Sequence, residues 1–298
     1  MSVQPHVIRE IRRQPESWCQ ALRLLPGVRD ALPRDGERVA VLGCGTSWFM
    51  AVAYAALREA AGAGETDAFP ASQFPAARRY DRIVVISRSG TTTEIVRAID
   101  GITVPVTAVT AVEDSPVARA ATDEIVLGFA DERSVVQTLF ATTALMLLRG
   151  SLGEPLDDVI EQAAAVLGAG AALPAEVENA EQFTFLGNGW RFGVGLEAGL
   201  KVREAARLWS EAYPQLEYRH GPISIAQPGR AVWVFGAAEE GILTDVAATG
   251  AVVVADDLDP VADLVRVQSL AARRAVAAGL DPDHPRSLTR SVVLAEPA

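Results

Sequence analysis

Short apolar runs alternate with amphipathic segments along most of this 298-residue chain. The runs have the length of buried strands, and apolar residues recur with helical spacing in the segments between them. Successive strand–helix units of this kind predict a parallel sheet with helices on both faces. In the first half we predict strands at 39–42, 83–86, 106–110 and 124–127, and a helix at 132–150 with Val135 and Leu139 on its apolar face.

The same pattern returns in the second half of the chain. QFTFLGNGWRFGVGLEAGLKV matches VAVLGCGTSWFMAVAYAAL in order and spacing, and RAVWVFGAAE matches RIVVISRSGT. We therefore predict an α/β protein with two tandem, doubly wound, flavodoxin-like parallel-sheet subdomains. The predicted bounds are 1–30 for an N-terminal helical segment, 31–150 for the first subdomain, 151–180 for a helical connector, and 181–298 for the second subdomain with a C-terminal tail.

The stretch 196–222 predicts one helix followed by a loop that carries a histidine. Glu197, Lys201 and Glu204 have the spacing i, i+4 and i+7, which places all three charges on one stripe of the helix. His220 follows in the loop sequence Arg-His-Gly-Pro. A carboxylate, an amine and an imidazole gathered in this way can move protons. The spacing also fits solvated ion pairs on a helix surface, so it leaves both interpretations open.

Lysine usage distinguishes this stripe from the rest of the chain. The chain has 27 Lys plus Arg residues, and Lys201 is the only lysine among them. A lysine kept where all other basic residues are arginine suggests that a compact amine is required there. Leu208 continues the stripe as an apolar position.

Two polar turns follow strands in the first half. Gly43-Cys44-Gly45-Thr46-Ser47 leads from a strand into a long helix, where free backbone N–H groups favour an anion. The second turn is Ser-Arg-Ser-Gly-Thr-Thr-Thr at 87–93, with five hydroxyl residues in seven. A helix cap needs only one hydroxyl, so this density favours a phosphate monoester site. The corresponding turns of the second half lose the hydroxyls and gain acidic residues, which predicts phosphate binding in the first half alone.

Composition narrows the possible partners. The net charge is −11 and no basic run offsets it, which argues against nucleic-acid and anionic-membrane partners. The N-terminus lacks the apolar core of a secretory signal, and Cys19 and Cys44 have no metal-binding spacing, so we expect a reduced, cytoplasmic protein. With only three histidines, we expect no metal site, and no cofactor motif is present.

Seven motifs occur in the order found in tandem SIS (sugar isomerase) domain proteins. They are GCGTS, ASQF, ISRSGTTTE, ERSVVQT, LEAGLKVRE, RHGP and DPDHPRSLTRSV. The chain most resembles the isomerase half of glucosamine-6-phosphate synthase and the related amino-sugar-phosphate deaminase/isomerases and fructosamine-6-phosphate deglycases. The resemblance spans nearly the whole chain.

The resemblance implies a set of roles by position. It makes Glu204 the base that moves a proton between C1 and C2, with Glu197 and Lys201 as supporting polar residues. It makes His220 the group that assists ring opening, reaching into a neighbour's site in a homodimer. The implied phosphate-binding residues are Ser47, Ser87, Arg88, Ser89 and Thr92, and the implied substrate-binding residues are Gly45, Thr46, Val135 and Arg290.

Two departures limit the expected chemistry. No glutaminase domain precedes the isomerase-like part, so we expect no release of ammonia from glutamine. Arg290 matches the tail lysine that forms a Schiff base in the synthase, and a guanidinium cannot serve as that nucleophile. We therefore expect a phosphosugar isomerase/deaminase acting on an amino-sugar 6-phosphate. The alternatives are a fructosamine-6-phosphate deglycase, a plain aldose–ketose isomerase, and a non-catalytic sugar-phosphate sensor.

Overall fold

The computed structural model describes residues 4–294 and divides into two compact units. The first unit contains Glu16–Leu156 together with residues 287–294, and the second contains residues 4–15 together with Asp157–Arg286. Each unit therefore takes most of its residues from one half of the chain and a short segment from the opposite end. Among the described residues, no helix is long and apolar enough to cross a membrane.

The first unit is built on a parallel five-stranded sheet. Its order is β2-β1-β3-β4-β5, which is the flavodoxin-like arrangement. Val39, Val41, Val85 and Val109 are completely buried on these strands, as expected where helices cover both faces of a parallel sheet. The strands are β1 (Val39–Gly43), β2 (Thr66–Pro70), β3 (Arg82–Ser87), β4 (Val106–Thr110) and β5 (Asp123–Val126), and the helices are α2 (Gln14–Val28), α3 (Thr46–Ala60), α4 (Thr93–Ile99), α5 (Pro116–Ala120) and α6 (Leu139–Ser151).

The second unit is built on a parallel four-stranded sheet. Its order, β7-β6-β8-β9, repeats that of the first sheet without a fifth strand. The predicted fold class is therefore confirmed. The strands are β6 (Gln182–Leu186), β7 (Trp209–Tyr213), β8 (Arg230–Val234) and β9 (Val252–Val254), and the helices are α1 (His6–Arg12), α7 (Asp157–Gly168), α8 (Ala175–Glu178), α9 (Trp190–Lys201), α10 (Ile242–Ala248) and α11 (Pro260–Ala277).

The first turn of each unit has the same backbone geometry. Gly45 has φ 54° and ψ −125°, and Gly189 has φ 55° and ψ −131°. A Cβ on Gly43 would lie 2.4 Å from the carbonyl carbon of Ser47, and a Cβ on Gly187 would lie 2.5 Å from that of Arg191. Only glycine permits such close approach of a strand end to the following helix. The repeat seen in the sequence is therefore also a repeat of turn geometry.

The predicted helix at 132–150 is wrong in its first turns. Helix α6 begins at Leu139, so Val135 lies in the segment before it. The buried Glu132 carboxylate accepts hydrogen bonds from the N–H groups of Thr138 (2.6 Å), Leu139 (2.7 Å) and Phe140 (3.1 Å). A carboxylate at this position satisfies the free N–H groups of the first turn and favours a helix that starts there.

The prediction of one helix through Leu208 followed by a simple loop is also wrong. Helix α9 ends at Lys201 and continues as a π-helical turn at Val202–Ala206. Arg207 then adopts a left-handed conformation with φ 55°, and the chain enters β7, which pairs in parallel with β6. Leu208 therefore lies outside the helix, and a strand separates Glu204 from the histidine.

A buried aspartate in the second unit makes stability depend on pH. Asp263 is 1% exposed and accepts hydrogen bonds from Trp233 Nε1 (2.7 Å) and Arg266 Nη1 (3.1 Å). Burial raises the pKa of Asp263 from 3.8 to about 6, although both donors favour the charged form. The unfolded chain therefore releases this proton at a lower pH than the folded chain does. The destabilisation by Asp263 is absent well below pH 3.8, grows between pH 3.8 and about 6, and is constant above that.

We expect Asp263→Asn to remove this pH dependence, because an amide of similar shape cannot ionise. Relative to the wild type, the variant should gain about 2–3 kcal/mol of unfolding free energy between about pH 4 and about pH 7.5. Urea unfolding at both pH values measures this difference. The exposed Asp257→Asn is the control and should show no such gain. An equal effect of Asp263→Asn at the two pH values would contradict the assignment.

Candidate functional site

The predicted charge stripe is a buried ion-pair group in the second unit. Lys201 Nζ lies 2.6 Å from Glu204 Oε2 and 3.5 Å from Glu197 Oε1. The side chains of Lys201 and Glu197 are 1% and 0% exposed, whereas that of Glu204 is 19% exposed. The interpretation as solvated pairs on a helix surface is therefore wrong. Of the two carboxylates, Glu204 is the one that solvent and a ligand can reach.

The local backbone sets Glu204 apart from its two partners. Glu197 and Lys201 lie on regular α-helix, and Glu204 lies on the π-helical turn that follows. Such turns are rare and occur frequently at functional sites. A carboxylate that contacts a buried ammonium and still has an exposed face can take up and return a proton without leaving its position.

His220 lies on a short 3₁₀ helix, Glu217–His220, and its ring is exposed. The two residues before it fix this helix. Tyr218 is 0% exposed and packs among the apolar residues of the second sheet. Arg219 donates from Nε to the Asp245 carboxylate (2.7 Å) and from Nη2 to the Glu240 carbonyl (2.7 Å). The imidazole is thus presented on a firmly held backbone while its ring stays accessible.

The two predicted phosphate turns of the first unit lie at the same edge of its sheet. One follows β1 and the other follows β3, and these strands are adjacent and parallel. The carboxyl ends of parallel strands form the usual ligand-binding edge of this fold. The candidate residues of the first turn are Gly45, Thr46 and Ser47, and both hydroxyl residues are buried at the start of the long helix α3.

The second turn contains a chain of hydroxyl contacts. Ser89 Oγ accepts from the Thr91 N–H (3.2 Å) and lies 3.0 Å from Thr91 Oγ1. Gly90 has φ 62°, and a Cβ there would lie 2.0 Å from Ser115 Oγ, so no other residue fits this turn. Ser87 and Ser89 are buried, and Thr92 is half-buried. The turn therefore has a fixed shape that holds its hydroxyl groups together.

Arg88 is buried, and its guanidinium contacts protein groups of the first unit. It donates to the carbonyls of Ser134 (2.8 Å) and Arg290 (3.0 Å) and lies 3.9 Å from the Glu132 carboxylate. The side chains of Arg88 and Glu132 are 1% and 0% exposed. The pair connects the phosphate turn with the segment before α6 and with the C-terminal tail.

The remaining predicted residues of the first unit lie beside this pair. Val135 is half-buried and follows Ser134, whose carbonyl Arg88 binds. The Arg290 guanidinium contacts the Asp131 carboxylate and the Glu132 carbonyl. Arg88, Val135 and Arg290 thus lie in one region of the first unit.

Sequence reasoning missed Glu132 as a structural centre of this region. Its carboxylate caps α6 and pairs with Arg88. Its position in the ERSVVQT motif was the available signal.

The corresponding edge of the second sheet is closed by amide and carboxylate groups. Asn188 Nδ2 donates to Glu239 (2.6 Å), and Asn188 Oδ1 accepts from the Gln215 N–H (2.9 Å). Gln215 Oε1 in turn accepts from the Glu239 N–H (2.8 Å). These bonds connect the three turns that follow β6, β7 and β8. The difference between the halves that the sequence shows is therefore a difference in what fills the edge of each sheet.

Known proteins resemble this chain over nearly its full length. The glutamine–fructose-6-phosphate aminotransferase (isomerizing) of Sulfurisphaera tokodaii is 25% identical over 97% of the chain. The enzyme of the same name from Aeropyrum pernix is 30% identical over 71% of it. The chain covers 57% of the first protein and 43% of the second. No protein-family model matches the chain.

Solved structures have the same fold. Glucosamine-6-phosphate deaminase from Thermotoga maritima superposes with a TM-score of 0.81 and 23% identity, covering 97% of this chain and 100% of that one. The C-terminal domain of glucosamine-fructose-6-phosphate aminotransferase from Francisella tularensis gives 0.79 and 19%, covering 95% and 99%. Tagatose-6-phosphate ketose/aldose isomerase from Escherichia coli gives 0.77 and 21%, covering 98% and 96%.

The resemblance to tandem SIS proteins is confirmed. The chain's homologues are aminotransferases of which it covers the isomerase part, and its structural neighbours include phosphosugar isomerases. The SIS resemblance accounts for the two parallel sheets and for the repeated strand–turn–helix unit. Because the chain spans about 57% of the length of the first of these relatives, their whole activities do not transfer to it directly.

We expect Lys201→Met to destabilise the second unit, because it would bury the Glu197 carboxylate without this ammonium beside it. Removing one member of a buried ion pair typically costs about 3–5 kcal/mol. The double variant Glu197→Gln/Lys201→Met should recover part of that loss, since the buried charge is then gone. Denaturant unfolding of the single and double variants measures both effects.

The exposed pair Arg38–Glu65 provides the control for this cycle, since its side chains are 45% and 74% exposed. Glu65→Gln should change the unfolding free energy by less than about 1 kcal/mol. If Lys201→Met changed the unfolding free energy as little as this control, the buried ion-pair group would not contribute to stability as described.

Proposed function

We propose that this chain is a phosphosugar isomerase/deaminase that acts on an amino-sugar 6-phosphate. The observation that carries the proposal is the partly exposed Glu204 carboxylate at 2.6 Å from the buried Lys201 ammonium. Isomerisation of a phosphosugar needs an anion-binding group and a base that exchanges a proton with carbon. We assign the anion-binding group to the turns of the first unit and the base to Glu204 of the second unit.

The phosphate would bind to the turns at the edge of the first sheet. Hydroxyl and backbone N–H donors suit the terminal oxygens of a phosphate monoester. Arg88 would contribute its charge and hold the shape of the turn, because it already contacts Ser134, Arg290 and Glu132. The proposed phosphate ligands are Ser47, Ser87, Arg88, Ser89 and Thr92, with Gly45, Thr46, Val135 and Arg290 lining the sugar.

Glu204 would move the proton. In the open-chain aldose it takes the proton from C2, and the electron pair of that C–H bond forms the C1–C2 double bond. The C1 carbonyl oxygen takes a proton from water and becomes a hydroxyl. Return of the proton to C1 gives a C2 imine, which water hydrolyses to the ketose with release of ammonia. Lys201 and Glu197 would position the carboxylate, and general acid–base assistance of this kind contributes roughly 10²–10⁴ in rate.

His220 would assist ring opening before enolisation. An imidazole can carry a proton between the ring oxygen and the C1 hydroxyl, because one ring nitrogen can donate while the other accepts. Its exposed ring on a fixed 3₁₀ helix is compatible with a role in the site of a second copy of the chain. A homodimer is therefore part of the proposal.

Arg290 favours reactions that need no Schiff base from the tail. A guanidinium stays protonated and cannot form an imine, but it can stabilise developing enolate charge. The names of the structural neighbours include both a deaminase and a ketose/aldose isomerase. A plain aldose–ketose isomerase and a fructosamine-6-phosphate deglycase use the same proton transfer and are the nearest alternatives.

We expect the purified protein to convert at least one member of a panel that contains glucosamine, galactosamine and fructosamine 6-phosphates. Ammonia and ketose phosphate should be assayed together, because deamination produces both and plain isomerisation produces no ammonia. A protein that binds these sugars and leaves every one of them unchanged would be a sensor, and the proposal would then be wrong.

Glu204→Gln should lower turnover by about two to four orders of magnitude while phosphosugar binding is retained, since the amide keeps the shape of the side chain but cannot accept the proton. The exposed Glu161→Gln on α7 is the matched control and should keep wild-type turnover. Wild-type turnover in Glu204→Gln would rule out the base assignment.

A further inference from the structure

The C-terminal tail lies along the hydroxyl-rich turn within the first unit. Arg88 Nη2 donates to the Arg290 carbonyl (3.0 Å), and the Thr93 N–H donates to the Val292 carbonyl (3.2 Å). Beyond these, the Leu294 N–H donates to Thr93 Oγ1 (2.9 Å). These contacts on both sides of residue 291 fix the register of the tail against the turn.

Ser291 is the tail residue whose hydroxyl meets the hydroxyls of the turn. Its Oγ lies 2.9 Å from Thr91 Oγ1 and 3.5 Å from Thr92 Oγ1. Thr91 Oγ1 is also 3.0 Å from Ser89 Oγ. Four hydroxyl groups from two separate segments of the chain therefore form one continuous cluster. Ser89, Ser291 and Thr92 are buried or half-buried, so the cluster is sheltered from bulk water.

The cluster has more protons to donate than it uses internally. Each hydroxyl carries one proton, and Thr91 can donate to either Ser89 or Ser291 but not to both at once. Thr91 therefore accepts a proton from the serine to which it does not donate, and the contact between Thr92 and Ser291 uses a third proton. When Ser89 donates to Thr91, and Thr91 and Thr92 donate to Ser291, the Ser291 proton is left for a further acceptor. A phosphate group, with several acceptor oxygens and negative charge, suits such a hydroxyl donor.

We propose that Ser291 is a phosphate-binding residue contributed by the tail. The proposal rests on the proposed function, because it adds a member to the phosphate site of the first unit. Binding of a phosphate monoester would then connect the turn to the tail and place the neighbouring Arg290 beside the sugar.

The other hydroxyl residues of the tail are arranged differently: Thr289 donates to the Ser291 carbonyl (2.8 Å), and Ser287 is exposed.

Titration of the wild type and three tail variants with inorganic phosphate and with fructose 6-phosphate tests the proposal. Ser291→Ala should weaken the binding of both ligands about tenfold, since a hydrogen bond to a charged group is stronger than one between neutral groups. Ser291→Thr keeps the hydroxyl and should stay within about threefold of the wild type. Ser287→Ala is the matched control and should bind like the wild type.

Inorganic phosphate separates a phosphate contact from a sugar contact. A Ser291→Ala defect with fructose 6-phosphate alone would assign Ser291 to the sugar and overturn the proposal. Unchanged or tighter phosphate binding would also overturn it, and tighter binding would mean that the tail competes with phosphate. These results leave the proposed function intact as long as wild-type turnover is observed. A wild type that binds neither ligand would overturn both.

A second measurement reports on the tail itself. Phosphate should slow tryptic cleavage after Arg290 in the wild type and in Ser291→Thr, because the ligand holds the tail against the turn. The protection should be reduced in Ser291→Ala at equal phosphate occupancy. Equal protection in Ser291→Ala would show that the hydroxyl does not connect the ligand to the tail.

Discussion

A buried ammonium between two carboxylates is the interaction on which the proposed chemistry depends. Lys201 is 1% exposed and contacts the buried carboxylate of Glu197 and the partly exposed carboxylate of Glu204. Burying charges is costly unless they are paired, so a buried ion-pair group is weak evidence for stability and is a candidate for a functional role. Glu204 lies on a π-helical turn, contacts Lys201 and keeps one face of its carboxylate exposed. A base with a fixed position and an open side is the result.

The first unit contains a second buried ion pair, Arg88–Glu132, which connects separate segments of the chain. Arg88 and Glu132 connect the phosphate turn, the start of α6 and the tail through backbone groups as well as charge. An arginine can do this because its planar guanidinium donates in several directions at once. The two units thus share a fold and a turn geometry but differ in the groups at the edge of each sheet. Hydroxyls fill the first edge, and Asn188, Gln215 and Glu239 close the second.

Much of the fold follows from the sequence because parallel strands buried on both faces have a strong apolar signal. The predicted strands at 39–42, 83–86 and 106–110 lie within β1, β3 and β4. The missed features depend on contacts that periodicity does not encode. Helix α6 starts late because Glu132 caps it, and the π-helical turn that follows α9 ends because Arg207 turns left-handed before β7. The position of Ser291 was not predictable for the same reason, since the tail meets the turn across about 200 residues of sequence.

Deuterium exchange from solvent into the sugar tests the central claim most directly, because a carboxylate that removes a carbon-bound proton can exchange it with water before returning it. Fructose 6-phosphate and glucosamine 6-phosphate should be incubated with the protein in D₂O and followed by NMR. The account predicts deuterium at C1 or C2 with the wild type and none above background with Glu204→Gln. Phosphosugar that binds the wild type but acquires no deuterium and forms no product would contradict it.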